Sequence, residues 1–139
     1  MKSLAILPLL AGAAAPLLGQ QADSTRSTRA GVYMASQAER GSEVYANVCK
    51  TCHSTAFHTS PAFIAKWQGH PLADLYSYVR NAMPKSDPGS LTEGQYILVL
   101  AYLLKLNGMP AGAEELPADS VALARIRIEF KPTEPTHER

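Results

Sequence analysis

The chain has 139 residues, of which 46% are apolar and 18% charged, so it is sized for one compact domain and excludes a large multidomain enzyme. Its 13 basic residues nearly balance 12 acidic ones, which leaves no uniformly basic surface for a phosphate backbone and argues against nucleic acid as a partner. Two cysteines, Cys49 and Cys52, stand too close together in sequence to form a disulfide scaffold.

Met1-Lys2 gives a short positive end, Leu4 to Leu18 is apolar but broken by Pro8 and Pro16, and Gln20 to Ser24 is polar. That is the layout of a secretory signal peptide over residues 1–20, with cleavage expected near residues 19–22. About 15 apolar residues fall short of the roughly 20 that span a bilayer, and no later segment is long and apolar enough, so no transmembrane span is expected in the mature chain. Export to the periplasm follows from this reading. Residues 21–35 are rich in Ser, Thr and Arg and read as a flexible lead-in.

The main domain is expected over residues 36–108. Ser36-Gln37-Ala38-Glu39 has the form of a capping box, which predicts a helix from Gln37 to Cys49 with Gly41, Val44, Tyr45 and Val48 on its inner face. A short helical piece is predicted near Pro61–Trp67. Pro71 opens another helix whose apolar residues are Leu72, Leu75, Tyr76 and Val79, and which ends before Met83-Pro84. Thr92-Glu93-Gly94-Gln95 caps a strongly apolar closing helix that stops at Asn107-Gly108. Three to four helices without clear strand pairing define an all-α domain. Residues 109–131 are predicted to pack back on it, because Arg125 to Phe130 alternates polar and apolar residues like a short extended strap. Residues 132–139 read as a disordered tail.

Cys49-Lys50-Thr51-Cys52-His53 carries the chemistry. Positions three and four apart on a helical turn share a face, so both thiols and the imidazole can meet one flat ligand. The spacing is that of c-type haem attachment: two thioether bonds to one haem c, with His53 on the iron. A thioredoxin-like pair would need a βαβ neighbourhood, and a structural zinc site four closed ligands; the sequence offers neither.

With these residues the chain resembles the small class I-type c cytochromes, secreted single-haem electron carriers. The resemblance covers roughly residues 36–108 and rests on the attachment motif, Gly41 and Tyr45, Met83-Pro84, and the closing helix with Val99-Leu100-Ala101-Tyr102-Leu103-Leu104. It implies a cytochrome c-like fold around one covalent haem, with first and last helices crossing at Gly41 beside Tyr102. The order of Met-Pro, capped helix and Asn-Gly stop is similar to cytochromes that accompany quinoprotein and other periplasmic dehydrogenases.

Candidates for the sixth iron ligand are Met34, Met83, Met109, His58 and His70. Thioether sulfur stabilises reduced iron, as an electron carrier requires. Met83 lies on the loop before the closing helix, where the family places its ligand, whereas Met109 would have to fold back over a helix end. Ligation by two histidines is the alternative. His58 reads as a loop residue and His70 as a helix-start residue. The resemblance also implies that a proline carbonyl accepts the N–H of the ligating imidazole, and Pro61 is the matching residue, although the glycine-rich stretch of many relatives is absent here. Trp67 is either a propionate donor or a core aromatic. Arg80 is either a propionate partner or a solvated helix-end cation. Phe57, Phe63, Leu72, Leu75 and Leu98 are expected to wall the haem with apolar surface.

No Ser/His/Asp arrangement, catalytic carboxylate pair or phosphate-binding glycine loop accompanies the motif. The expected function is single-electron transfer between a periplasmic dehydrogenase or respiratory complex and a terminal oxidase or other acceptor, without enzyme activity. The alternatives are a fixed cytochrome subunit of a dehydrogenase complex, docked through Gly108–Phe130, and a haem enzyme or gas sensor with an open distal site.

Overall fold

The computed structural model describes residues 25–131. The expected signal peptide and tail, and residues 21–24 of the lead-in, lie outside the described residues. In chain order the elements are β1 (Arg26–Ser27), a 3-10 turn (Thr28–Ala30), α1 (Ala35–Val44) continuing into a π-helical turn (Tyr45–Cys49), α2 (Thr55–His58), α3 (Pro61–Trp67), α4 (Leu72–Ala82), α5 (Glu93–Leu106), α6 (Ser120–Ala124) and β2 (Ile126–Arg127). The architecture is all-α, with one two-residue parallel strand pair added.

Helix α5 is the central member. Thr92 Oγ1 accepts from Gln95 N while Gln95 Oε1 accepts from Thr92 N, so the predicted capping box closes at both bonds. Fourteen residues carry it about 21 Å across the domain. Its apolar residues are buried on more than one face: Tyr96, Ile97, Leu100, Ala101 and Leu104 in the main core, and Val99 and Leu103 with Tyr45 in a smaller cluster beside the cysteine motif. Such all-round apolarity belongs to a helix enclosed by its neighbours.

Helix α1 crosses α5 at Gly41. A side-chain carbon on Gly41 would lie 2.6 Å from the Leu98 carbonyl carbon and 3.1 Å from Tyr102 Cβ, so only hydrogen fits between the two backbones. This is the crossing the resemblance implied, with Tyr102 as the adjacent aromatic.

The start of α1 differs from the sequence expectation. The helix begins at Ala35, and Gln37, not Glu39, reaches back: its Oε1 accepts from Met34 N at 3.1 Å. The reason is tertiary. The buried Gln37 amide also accepts from Leu116 N at 2.7 Å and donates to Leu116 O at 3.2 Å, tying α1 to the C-terminal extension.

Residues 25–35 are likewise not a flexible lead-in. Arg26 and Ser27 pair in parallel with Ile126 and Arg127, and Thr28, Val32 and Tyr33 are fully buried. Thr28 Oγ1 accepts from Glu129 N, and Tyr33 Oη donates to Met109 O. The polar composition of this segment is satisfied by partners about a hundred positions away, which no local pattern reveals.

The C-terminal strap packs on the helices. Ile126, Ile128 and Phe130 are buried against α3 and α4 while Arg127 stays exposed, the outcome of period-two alternation. Ile128 N also donates to His70 O at 2.9 Å. Truncating Ile128, which is 1% exposed, to alanine should cost about 2–5 kcal/mol through lost burial and the cavity left behind. Urea unfolding of the haem-bearing protein checks this, and a loss below about 1 kcal/mol would mean the strap is peripheral to the core.

Candidate haem site

The cysteine motif sits where α1 ends. The π-helical turn closes with Lys50 N donating to Tyr45 O at 2.9 Å, and the chain then wraps so that Cys52 N and His53 N both donate to Cys49 O, at 3.2 and 2.9 Å. One tight turn thus presents two free thiols and an imidazole together. Cys49 is half-buried, and burial raises its thiol pKa; Cys52 is exposed. The donor set fits haem c: two unpaired thiols for thioether bonds and an adjacent imidazole nitrogen for iron. Among the described residues no three His, Cys, Asp or Glu side chains converge as a closed zinc site would require.

After His53 the short loop forms α2, a turn of helix that sequence reasoning did not anticipate. Phe57 and His58 project from it onto the His53 ring, with centroids at 5.1 and 5.2 Å. Phe57 stacks at 33° and is 54% exposed, an apolar face at the rim of the motif. His58 was expected to be a loop residue. Instead it is enclosed by Tyr45, His53, Phe57 and Phe63 at 5.0–5.5 Å. Tyr45 Oη lies 3.0 Å from His58 Nδ1.

Burial, with smaller contributions from Cys49 and Tyr102, pushes Tyr45 up to about 12. Burial and the neighbouring His53 push His58 down to about 4, against a backbone hydrogen bond at Ser54. At neutral pH the phenol is therefore protonated, and Tyr45 Oη and His58 Nδ1 share the hydrogen bond at 3.0 Å. Asn107, read from sequence only as a helix stop, donates to His58 O at 3.0 Å and to Leu103 O at 2.8 Å, pinning α2 to the end of α5. The sequence signal for His58 was weak: an imidazole five residues after a ligating one, with no periodicity to place it.

The remaining site residues distribute as follows. Met83 ends α4, and its carbonyl accepts from Tyr96 Oη at 2.8 Å, which anchors the Met83-Pro84 loop to α5. Pro61 occupies the first position of α3 behind Ser60, whose Oγ accepts from Phe63 N. Its carbonyl therefore belongs to the first turn of that helix. Trp67 is buried, in ring contact with Phe63, His70 and Tyr78, and Lys66 Nζ lies 4.9 Å from its centroid. Arg80 lies 3.4 Å from Glu93, a pairing across α4 and α5 that the sequence reading had not weighed. Leu72 and Leu75 are fully in the main core, Phe63 is buried with them, and Leu98 is half-buried at the Gly41 crossing. Among the other sulfur and imidazole candidates, Met109 is buried in the main core, Met34 starts α1, and His70 Nδ1 lies 3.2 Å from Asp74.

No helix among the described residues is long and apolar enough to cross a membrane. Residues 36–103 match the family described as cytochrome c oxidase, cbb3-type, subunit III. The matched segment runs from α1 into α5, so it contains the attachment turn, Met83 and the Gly41 crossing, and stops short of Met109 and the strap. No curated protein and no solved structure matches the chain significantly. An all-α domain that sets two thiols and an imidazole on one turn, in a segment with this match, leaves one reading: the protein is a small c-type cytochrome, an electron-transfer domain whose cofactor is haem c.

Proposed function

We propose that the protein is an exported, periplasmic carrier of single electrons between a dehydrogenase or respiratory complex and a terminal oxidase or other acceptor. The observation that carries this reading is the attachment turn itself, two free thiols and His53 on one closed bend. Haem c, when bound, supplies an iron that gains and loses one electron with little movement of its ligands.

Cys49 and Cys52 would hold haem c through thioether bonds, and His53 and Met83 would supply nitrogen and sulfur to its iron. In support, the Met83 backbone is fixed at both sides, by Met83 N to Val79 O at 3.0 Å and by the Tyr96 hydroxyl on its carbonyl, so its loop needs little ordering to present the sulfur. Trp67 and Pro61 are assigned to the surroundings of the haem, Trp67 as a wall of the core and Pro61 as the start of α3. Arg80 pairs with Glu93 between α4 and α5, and as an exposed pair it contributes little to stability.

The name of the matched family is that of an oxidase subunit, which favours an oxidase on the accepting side. Docking as a fixed subunit through residues 108–130 finds less support, because Leu116, Leu123, Ile126, Ile128 and Phe130 are already buried against the protein's own helices.

Visible spectra of the matured protein test the ligand set. A sulfur-to-ferric-iron band and no change of the reduced spectrum under carbon monoxide are expected for the native chain. Met83→Ala should lose the band and gain carbon monoxide binding. A native protein that already binds carbon monoxide would replace the carrier reading by an enzyme or sensor. N-terminal sequencing of the exported chain, expected to begin near residues 20–23, checks the periplasmic address.

A further inference from the structure

A metal-bound imidazole needs a partner that fixes its ring plane, and loss of such partners typically weakens a site 10- to 100-fold. The resemblance assigned that task to the Pro61 carbonyl. What packs on the His53 ring in this chain comes from α2: Phe57 stacked on one side and His58 edge-on at 64°. The two neighbours are not equally held. Phe57 is more than half exposed, and its side chain is placed by ring contacts without a hydrogen bond.

His58 is anchored at both ends. Its Nδ1 is hydrogen-bonded with the Tyr45 hydroxyl at 3.0 Å and its backbone carbonyl accepts from the Asn107 amide at 3.0 Å. Tyr45, 2% exposed, is itself wedged against Tyr102 of α5 at 5.2 Å, and it opens the π-helical turn that carries Cys49. The same phenol oxygen lies 3.4 Å from the His53 carbonyl. A single buried hydroxyl therefore touches the backbone of His53 and the side chain that walls its ring.

We propose that Tyr45 and His58 form a positioning pair that sets the ring plane of His53, through the hydrogen bond between the Tyr45 hydroxyl and His58 Nδ1 and the edge contact of His58 with His53. The pair rests on the reading of His53 as the axial ligand. The loop after His53 is coiled into α2, whose last residue delivers this ring. Neither residue touches a substrate, so both are positioning residues.

The test uses the full-length, haem-bearing protein in its oxidised form. The spread of the four haem-methyl proton resonances follows the orientation of the axial ligand planes, and a merely structural contact would lower the melting temperature without altering it. Tyr45→Phe, which removes one oxygen and keeps the ring, should narrow the spread or reorder the methyl signals. His58→Leu, which removes the ring, should do so further, and should shift the midpoint potential measured by spectroelectrochemistry in the same sense as Tyr45→Phe. Phe57→Leu serves as the comparison and should change the pattern least.

Wild-type methyl shifts and potential in Tyr45→Phe overturn the proposal, whether or not His58→Leu yields folded protein. His53→Ala in the same series separates the two readings. If it abolishes the low-spin spectrum while Tyr45→Phe leaves the pattern unchanged, the ligand assignment stands and the positioning pair falls. If His53→Ala keeps the wild-type spectrum, both fall.

Discussion

Gly41→Ala should remove most folded, haem-bearing protein. Alanine is ordinarily the better helix former by up to about 1 kcal/mol. Here the added carbon would sit 2.6 Å from the Leu98 carbonyl carbon and nearer still to its oxygen. Those are backbone atoms of α5, which cannot rotate aside as a flexible side chain can. Relief requires α1 and α5 to separate, and α5 supplies residues to both apolar clusters, so separation loosens the main core and the packing around Tyr45 together. Overpacking commonly costs 1–3 kcal/mol, and a clash against backbone at a shared helix crossing belongs at or beyond about 3 kcal/mol.

Gly94→Ala is the matched control. It lies in the first turn of the same α5 with nothing within 4 Å of an added carbon, so it should leave stability unchanged or raise it by about 0.5–1 kcal/mol. Thermal unfolding of both variants, followed at the haem band and in the far ultraviolet, checks the pair. Equal melting temperatures for Gly41→Ala and the native chain would mean the helices do not cross as described.

Cys49→Ala, Cys52→Ala should lose all covalent haem and leave a chain that is largely unfolded at 25 °C. A domain of this size buries a limited core, and a large apolar cofactor held covalently adds what side chains alone do not supply. The described structure shows where the deficit would fall. Phe57 is 54% exposed beside the motif, and the cluster next to it contains only Tyr45, Val99 and Leu103 as fully buried members. The main core, reinforced by the strap, is the part with most to retain. Haem staining on a denaturing gel reports the covalent bonds, and far-ultraviolet circular dichroism reports the fold. Undiminished helix content in the double variant would show that the protein core suffices without the cofactor. Cys52→Ala alone should keep haem through Cys49 at reduced yield, since one thiol for a thioether bond remains.

The two predictions depend on different parts of the sequence. Gly41 is legible as a glycine inside an amphipathic pattern, but the atoms it meets are known only once α5 is in place. The cysteines are legible outright, because attachment chemistry is local: the spacing of Cys49, Cys52 and His53 brings the donors together on any tight helical turn, whatever the rest of the chain does.

The same division runs through the whole protein. Helices α3, α4 and α5 could be read from their punctuation, Ser60-Pro61, Pro71 and Thr92 at the starts and Met83-Pro84 and Asn107-Gly108 at the ends, since caps and breakers act within one turn. The alternation of Arg125 to Phe130 likewise fixed which strap residues turn inward. Asp119, which caps α6 through Val121 N and Ala122 N, was a local signal of the same kind but opened only five residues of helix.

Tertiary structure alone decided the rest. Residues 26–33 look polar and loose, yet Thr28, Val32 and Tyr33 are buried, because Arg26 and Ser27 find strand partners at Ile126 and Arg127. Gln37 became the cap of α1 because Leu116 holds its amide, and His58 became a wall of the His53 ring because Tyr45 and Asn107 hold it there. Periodicity and capping are energies between near neighbours and so are written in the sequence. The partner of a buried polar group lies wherever the fold brings one, and that is settled only when the helices have packed.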